Sequence, residues 1–153
     1  MAQPIYFEDM NVGDVHLSPG RTVTETDVVN FAGLSGDYMP LHTDKEFCKD
    51  TVWGERIAHG LLGLSLASGL FTRTELAAGI VTTVIALLGL EWKFTAPIML
   101  GDTIHVEVEI IKKKETKKAD RGVVTLQRTI KNQRGEVVQQ GVTPLMFKRK
   151  PTE

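Results

Sequence analysis

Apolar positions along the chain follow two periods, one in each half. In "TVTETDVVNFAGLSG", Val28, Val29, Phe31, Ala32 and Leu34 recur at helical spacing. Thr24 or Thr26 can cap the start, Asp27 falls in the first turn and Gly36 supplies a stop, so a short helix is predicted over 26–34. A second helix is predicted from His59 or Gly60 to about Leu76. There "HGLLGLSLASGLFTRTEL" is apolar on nearly every side through Leu70 and turns polar only in its last turns, as in a helix that is enclosed. Gly60, Gly63, Ser65, Ala67, Ser68 and Gly69 make it slim enough for a sheet to approach closely, although a Gly inside a helix costs about 1 kcal/mol relative to Ala.

From Val81 onward the period shortens to two. "VTTVIALL", "LEWKFTA", "TIHVEVEIIKK", "GVVTLQRTIKN" and "EVVQQGVTPLMFKR" are rich in β-branched and aromatic residues and read as strands. The clearest runs over Thr103 to Ile110, where Ile104, Val106, Val108 and Ile110 alternate with His105, Glu107 and Glu109, the pattern of a sheet with one face buried. "MLGDT" and "NQRGE" carry turn residues. An antiparallel sheet curled around one long buried helix accommodates both halves, an α+β arrangement.

Composition narrows the class of protein. With 153 residues, 42% of them hydrophobic, the chain suffices for one domain spanning 1–153 with its own core. A net charge of -1 offers no general attraction to nucleic acid or to an anionic membrane. No basic segment followed by an apolar run opens the chain, and the lone Cys48 can form no internal disulfide, so an intracellular, cytoplasmic setting is expected. The most apolar run, "IAHGLLGLSLASGLF", falls short of the roughly 20 residues that span a bilayer.

The candidate chemistry sits between the two helices, in "SGDYMPLHT" at 35–43. Neither helix nor strand spacing brings Asp37 and His42 to one face. Pro40 and Gly36 predict a kinked loop, and a loop can fold its ends inward to hold one water between a carboxylate and an imidazole. The plainer alternative is that Asp37 caps the next turn and His42 is an ordinary half-buried loop residue.

"FAGLSGDYMPLHTD" followed by "ERIAHGLLGLSLASGL" resembles the MaoC-like dehydratases, the (R)-specific enoyl-CoA hydratases, with a looser likeness over nearly the whole chain that includes "LEWKFTAPIMLGDTI". The resemblance implies the hotdog fold. The family's Asp-x-Asn-Pro-x-His motif is matched by Asp37, Pro40 and His42, while Met39 stands where Asn is usual. The implied reaction is addition of water across a trans-2-enoyl-CoA thioester to give the (R)-3-hydroxyacyl product, or the reverse. Asp37 and His42 then share the water, and the backbone N–H of Gly60, at the start of the second helix, serves as the oxyanion donor. By the same resemblance Ser68 matches a polar position near the active site, no metal or redox cofactor is required, and the chain forms a homodimer or an assembly of dimers.

Several residues admit two readings. His59 can touch substrate or fix the turn through a backbone hydrogen bond, and Ser68 can equally be a small packing residue. A zinc site from His42, Asp44 and His59 lacks the spacing of known motifs, so none is expected. Cys48 reads as structural, and Trp53 and Trp92 read as packing residues, although the loop "DTVWGERIA" can border a pocket. "KKKETKKADR" reads as a solvated hairpin end, or else Lys113 and Lys117 contact the phosphates of coenzyme A. Two other functions share the fold and the carrier: a hotdog acyl-CoA thioesterase, and a non-catalytic acyl-CoA-binding subunit.

Overall fold

The computed structural model describes residues 3–151 of the chain. In chain order its elements are β1 (Val15–Leu17), β2 (Arg21–Thr22), α1 (Glu25–Ser35), α2 (Pro40–Thr43), α3 (Lys45–Cys48), α4 (Gly60–Phe71), α5 (Glu75–Ile80), β3 (Val84–Leu87), β4 (Glu91–Phe94), β5 (Thr103–Glu115), β6 (Arg121–Lys131) and β7 (Val137–Lys148). Three long strands, β5, β6 and β7, lie side by side and antiparallel at the centre of a seven-stranded sheet. Each flank is a split edge: β1 and β2 pair end to end along β5, and β3 and β4 pair end to end along β7.

The alternation seen in the sequence is what lets this sheet curl over a helix. Ile104, Val106, Val108 and Ile110 are fully buried on one face of β5, joined by Val124, Leu126 and Ile130 of β6 and by Val138, Leu145 and Phe147 of β7. Leu62, Ala67, Leu70 and Phe71 of α4 complete the same core. The sheet-around-helix arrangement and all five predicted strands are therefore present. The hairpin end between β5 and β6, residues 116–120, carries the charge run into solvent.

Two helix expectations need correction. The second helix does not run unbroken to Leu76: α4 stops at Phe71, and α5 begins at Glu75 after the Thr74 side chain accepts the Ala77 N–H as a new N-cap. Nor is α4 enclosed all round, since Leu61, Ser65, Ser68 and Gly69 lie on a face the sheet does not cover. An all-apolar pattern reports how much of a helix avoids water, and one sheet can wrap only part of its circumference. The first helix starts at Thr24, whose side chain and Asp27 form a capping box, and ends at Gly36 in the left-handed conformation with φ 76°. The 35–43 stretch departs from a plain loop as well: Pro40 opens the helical turn α2, where a missing N–H does no harm.

One core position is costly. Arg128 lies on the buried face of β6 with 7% of its surface exposed, and its Nε atom has no partner. Burial pushes its pKa down to about 10, and its guanidinium carbon sits 4.3 Å from the centre of the Phe71 ring. A cation–π contact offsets only part of the desolvation of a charge. Arg128→Met should therefore raise the stability of the fold by about 1 kcal/mol or more in urea denaturation; a lower midpoint would show that the cation is a net stabiliser.

Candidate active site

Asp37 and His42 come together because the chain between them is bent twice. Gly36 ends α1 in the left-handed conformation, and Met39, held extended at ψ 137° before Pro40, leads into α2. The Asp37 carboxylate accepts the Met39 N–H at 3.2 Å, so this aspartate does cap the turn that follows it. That contact uses one oxygen and a backbone donor, so the Met39 side chain, 59% exposed, takes no part in it. Thr43 Oγ1 donates to the Tyr38 and Met39 carbonyls, and the buried Cys48 thiol donates to those of Pro40 and Leu41, which fixes α2 from both sides. Cys48 is thus structural, as expected.

His42 and His59 are both buried, at 8% and 2% exposure, and their rings stack with centroids 3.9 Å apart and planes inclined by 30°. His42 Nδ1 donates to the Ile57 carbonyl at 2.8 Å, and His59 Nε2 donates to the Asp37 carbonyl at 3.0 Å. A carbonyl only accepts, so each of these nitrogens carries the ring proton and the other nitrogen of each neutral ring keeps its lone pair. His42 therefore presents Nε2 as an acceptor, and His59 retains a buried Nδ1 with no partner. Phe31 closes the far side of His59 with ring centroids 5.0 Å apart.

Asp37, His42 and His59 each bring a polar side-chain atom within 4.8 Å of the other two. The sequence-level zinc set differs, because Asp44 is turned away and caps α3 by accepting the Phe47 N–H at 2.9 Å.

Two cavities meet at this cluster. One, of about 250 Å³, is mostly apolar and is lined by His42, Trp53, Ile57, Ala58, Gly60, Phe94, Ala96, Pro97, Ile98 and Gln139 among others. The other, of about 450 Å³, is lined by Phe31, Ser35, Asp37, His59, Gly60, Leu61 and Phe94. Gly60 and Phe94 belong to both and form their common wall. Gly60 is the first residue of α4, and a Cβ placed there would come within 2.9 Å of the Phe94 ring. The first backbone N–H groups of that helix precede its first intrahelical bond, from Gly63 N to the His59 carbonyl at 3.2 Å.

The remaining sequence candidates lie elsewhere. Ser68 is exposed on the uncovered face of α4, two turns beyond Gly60, and lines neither cavity. Lys113 donates its amine to the Met10 carbonyl and lies over the Phe7 ring, and Lys117 is exposed at the hairpin end, so neither borders either cavity. Trp53 does line the apolar cavity, as the loop reading allowed, whereas its neighbours Phe94 and Gln139 carried no signal in the sequence.

A family model described as MaoC like domain matches residues 10–132. The chain belongs to the MaoC-like family. A relative in Klebsiella aerogenes named Protein MaoC is 46% identical over 104 residues, a match that spans 67% of this chain and 30% of that protein. This MaoC-like chain thus spans under a third of that relative's length. A protein of Rhodospirillum rubrum named (R)-specific enoyl-CoA hydratase is 34% identical over 69% of each chain. Among solved structures, the monoamine oxidase regulatory protein of Archaeoglobus fulgidus superposes with a TM-score of 0.91 at 40% identity over 99% of both chains. The sheet curled around α4 is the hotdog fold of these proteins.

His59 is the residue that ties the MaoC-like site together, since it holds the Asp37 backbone on one edge and the His42 ring on one face. His59→Phe keeps a ring in place but removes the donor. It should cost about 1 kcal/mol in chemical denaturation, the net worth of a partly buried hydrogen bond; unchanged stability would mean that the bond does not restrain the loop.

Proposed function

We propose that this chain catalyses the (R)-specific hydration of trans-2-enoyl-CoA thioesters, or the reverse dehydration of (R)-3-hydroxyacyl-CoA. The observation that carries the reading is the clustering of the Asp37 carboxylate with the His42 and His59 rings, polar atoms within 4.8 Å of one another, beside an apolar cavity that opens at the start of a helix. Hydration needs this set: an acceptor for a proton of the attacking water, a route for that proton to C2, and donors for the charge that builds on the thioester oxygen.

One water donates a hydrogen bond to the Asp37 carboxylate and one to His42 Nε2. As its oxygen adds to C3, one of the two accepts a proton, and that proton is delivered to C2, so the net change is one water added. The Gly60 N–H, at the positive end of α4, stabilises the enolate-like oxygen in between. The acyl chain lies in the apolar cavity beside His42, and the thioester sits at the wall shared by Gly60 and Phe94. Neither a metal nor a redox group is required for this sequence of steps.

The chain is further proposed to act as a homodimer in the cytoplasm. Leu61, Leu87, Leu88, Leu90 and Phe94 are all at least 47% exposed around α4 and the split edge strand, a patch that a second copy would cover. No helix among the described residues is long and apolar enough to cross a membrane. Met39, standing where the motif's Asn is usual, favours a second reading, an acyl-CoA-binding subunit without turnover.

Purified protein assayed with crotonyl-CoA decides between these. Loss of the conjugated absorbance without release of free thiol is expected, and Asp37→Asn and His42→Ala should each lower kcat by about 100-fold or more. Wild-type rates in both variants would remove the site assignment; thiol release would indicate a thioesterase, and binding without turnover the non-catalytic subunit.

A further inference from the structure

Gln139 of β7 is 2% exposed and lines the apolar cavity, where an amide needs partners for both of its ends. It has them. Its Nε2 donates to the Gly60 carbonyl at 3.0 Å, and its Oε1 accepts the Trp92 Nε1–H at 3.0 Å. The pieces around it leave no slack. A Cβ at Gly63 would meet Gln139 Nε2 at 2.3 Å, and a Cβ at Gly141 would meet the Trp92 ring at 2.5 Å, so glycine at both positions is what admits the two side chains. The sheet register sets Trp92 opposite Gly141 and Phe94 opposite Gln139.

We infer that Trp92 and Gln139 form a clasp that positions the Leu61 N–H at the start of α4 as a second oxyanion donor beside that of Gly60, an inference that rests on the hydratase reading above. The Gly60 carbonyl shares one rigid peptide plane with the Leu61 N–H, so a bond to the one orients the other. It also polarises that N–H, because hydrogen bonds in a chain reinforce each other. The Trp92 ring fixes which way the Gln139 amide faces. Without it the amide can turn over and present oxygen to the Gly60 carbonyl. Gln139 and Trp92 are thus positioning residues: they reach the reaction through the first turn of the helix, and the donor they orient is the Leu61 N–H, next along that turn from the Gly60 N–H.

The test uses the intact chain with three variants. Gln139→Leu removes the clasp, Gln139→Met keeps the length of the side chain and a weak sulfur acceptor for Trp92 but has nothing to donate to the Gly60 carbonyl, and Trp92→Phe removes the ring N–H together with the five-membered ring. With crotonyl-CoA both Gln139 variants should lose roughly 10- to 100-fold in kcat with KM within about threefold, and Trp92→Phe should lose less. The Leu61 amide resonance should move upfield in both Gln139 variants, a readout independent of turnover. Unchanged kcat in Gln139→Leu, a loss confined to KM, a fully active Gln139→Met or an unmoved Leu61 signal would each overturn the clasp. If the wild type hydrates no enoyl-CoA, the hydratase reading fails by itself, and the Leu61 shift still shows whether the clasp exists. Should Gln139→Leu fail to fold, Gln139→Met and Trp92→Phe carry the same comparison.

Discussion

Two backbone carbonyls govern the chemistry of this protein. The Ile57 carbonyl takes the proton-bearing Nδ1 of His42, and the Asp37 carbonyl takes the proton-bearing Nε2 of His59. Because the rings also stack, neither can turn to exchange its nitrogens without losing its own bond and disturbing the stack. The constraint reaches outward from there. It fixes the left-handed Gly36 and the extended Met39 that bring Asp37 inward, and it requires the segment before α4 to be held still. That segment is held by bonds from Ala58 N to the Ile98 carbonyl and from Ile57 N to the Leu41 carbonyl.

The sheet supplies what the loop cannot. A carboxylate and an imidazole near each other are common at protein surfaces, and they become a reactive site only beside a cavity with donors of its own. Here β4 and β7 bring Phe94 and Gln139 against the first turn of α4, and glycine at 60 and 63 lets them approach to contact. The helix start is thereby a wall of the apolar cavity, with its unpaired N–H groups within the site. Stability is given up locally for this arrangement, since His59 Nδ1 stays buried without a partner.

Much of the fold was legible in the residues, because strand alternation and helix capping are local. The β5 pattern marked its buried face residue by residue, and Thr24, Asp27 and Gly36 marked both ends of α1. The break between α4 and α5 was hidden by continuous apolar character, and only Thr74, a good N-cap, hinted at it. Of the site, Asp37, His42, His59 and Gly60 were legible through the motif and its likeness to a family. Phe94, Gln139 and Trp92 were not, because their roles arise from sheet register and from contacts across 79 and 47 residues of chain. Ser68, singled out by the likeness, and Lys113 and Lys117, singled out by charge, lie away from both cavities, because their place in the fold is set by packing that neither signal reports.

The proposed hydration turns on a single water shared by the Asp37 carboxylate and the His42 ring, which would supply both the hydroxyl at C3 and the proton at C2 from the same side of the double bond. The direct measurement is the stereochemistry of crotonyl-CoA hydration carried out in heavy water, with the relative configuration at C2 and C3 read from the proton coupling in the product. The account predicts syn addition of deuterium and hydroxyl with R configuration at C3. Anti addition, or a mixture of the two at C2, would contradict it.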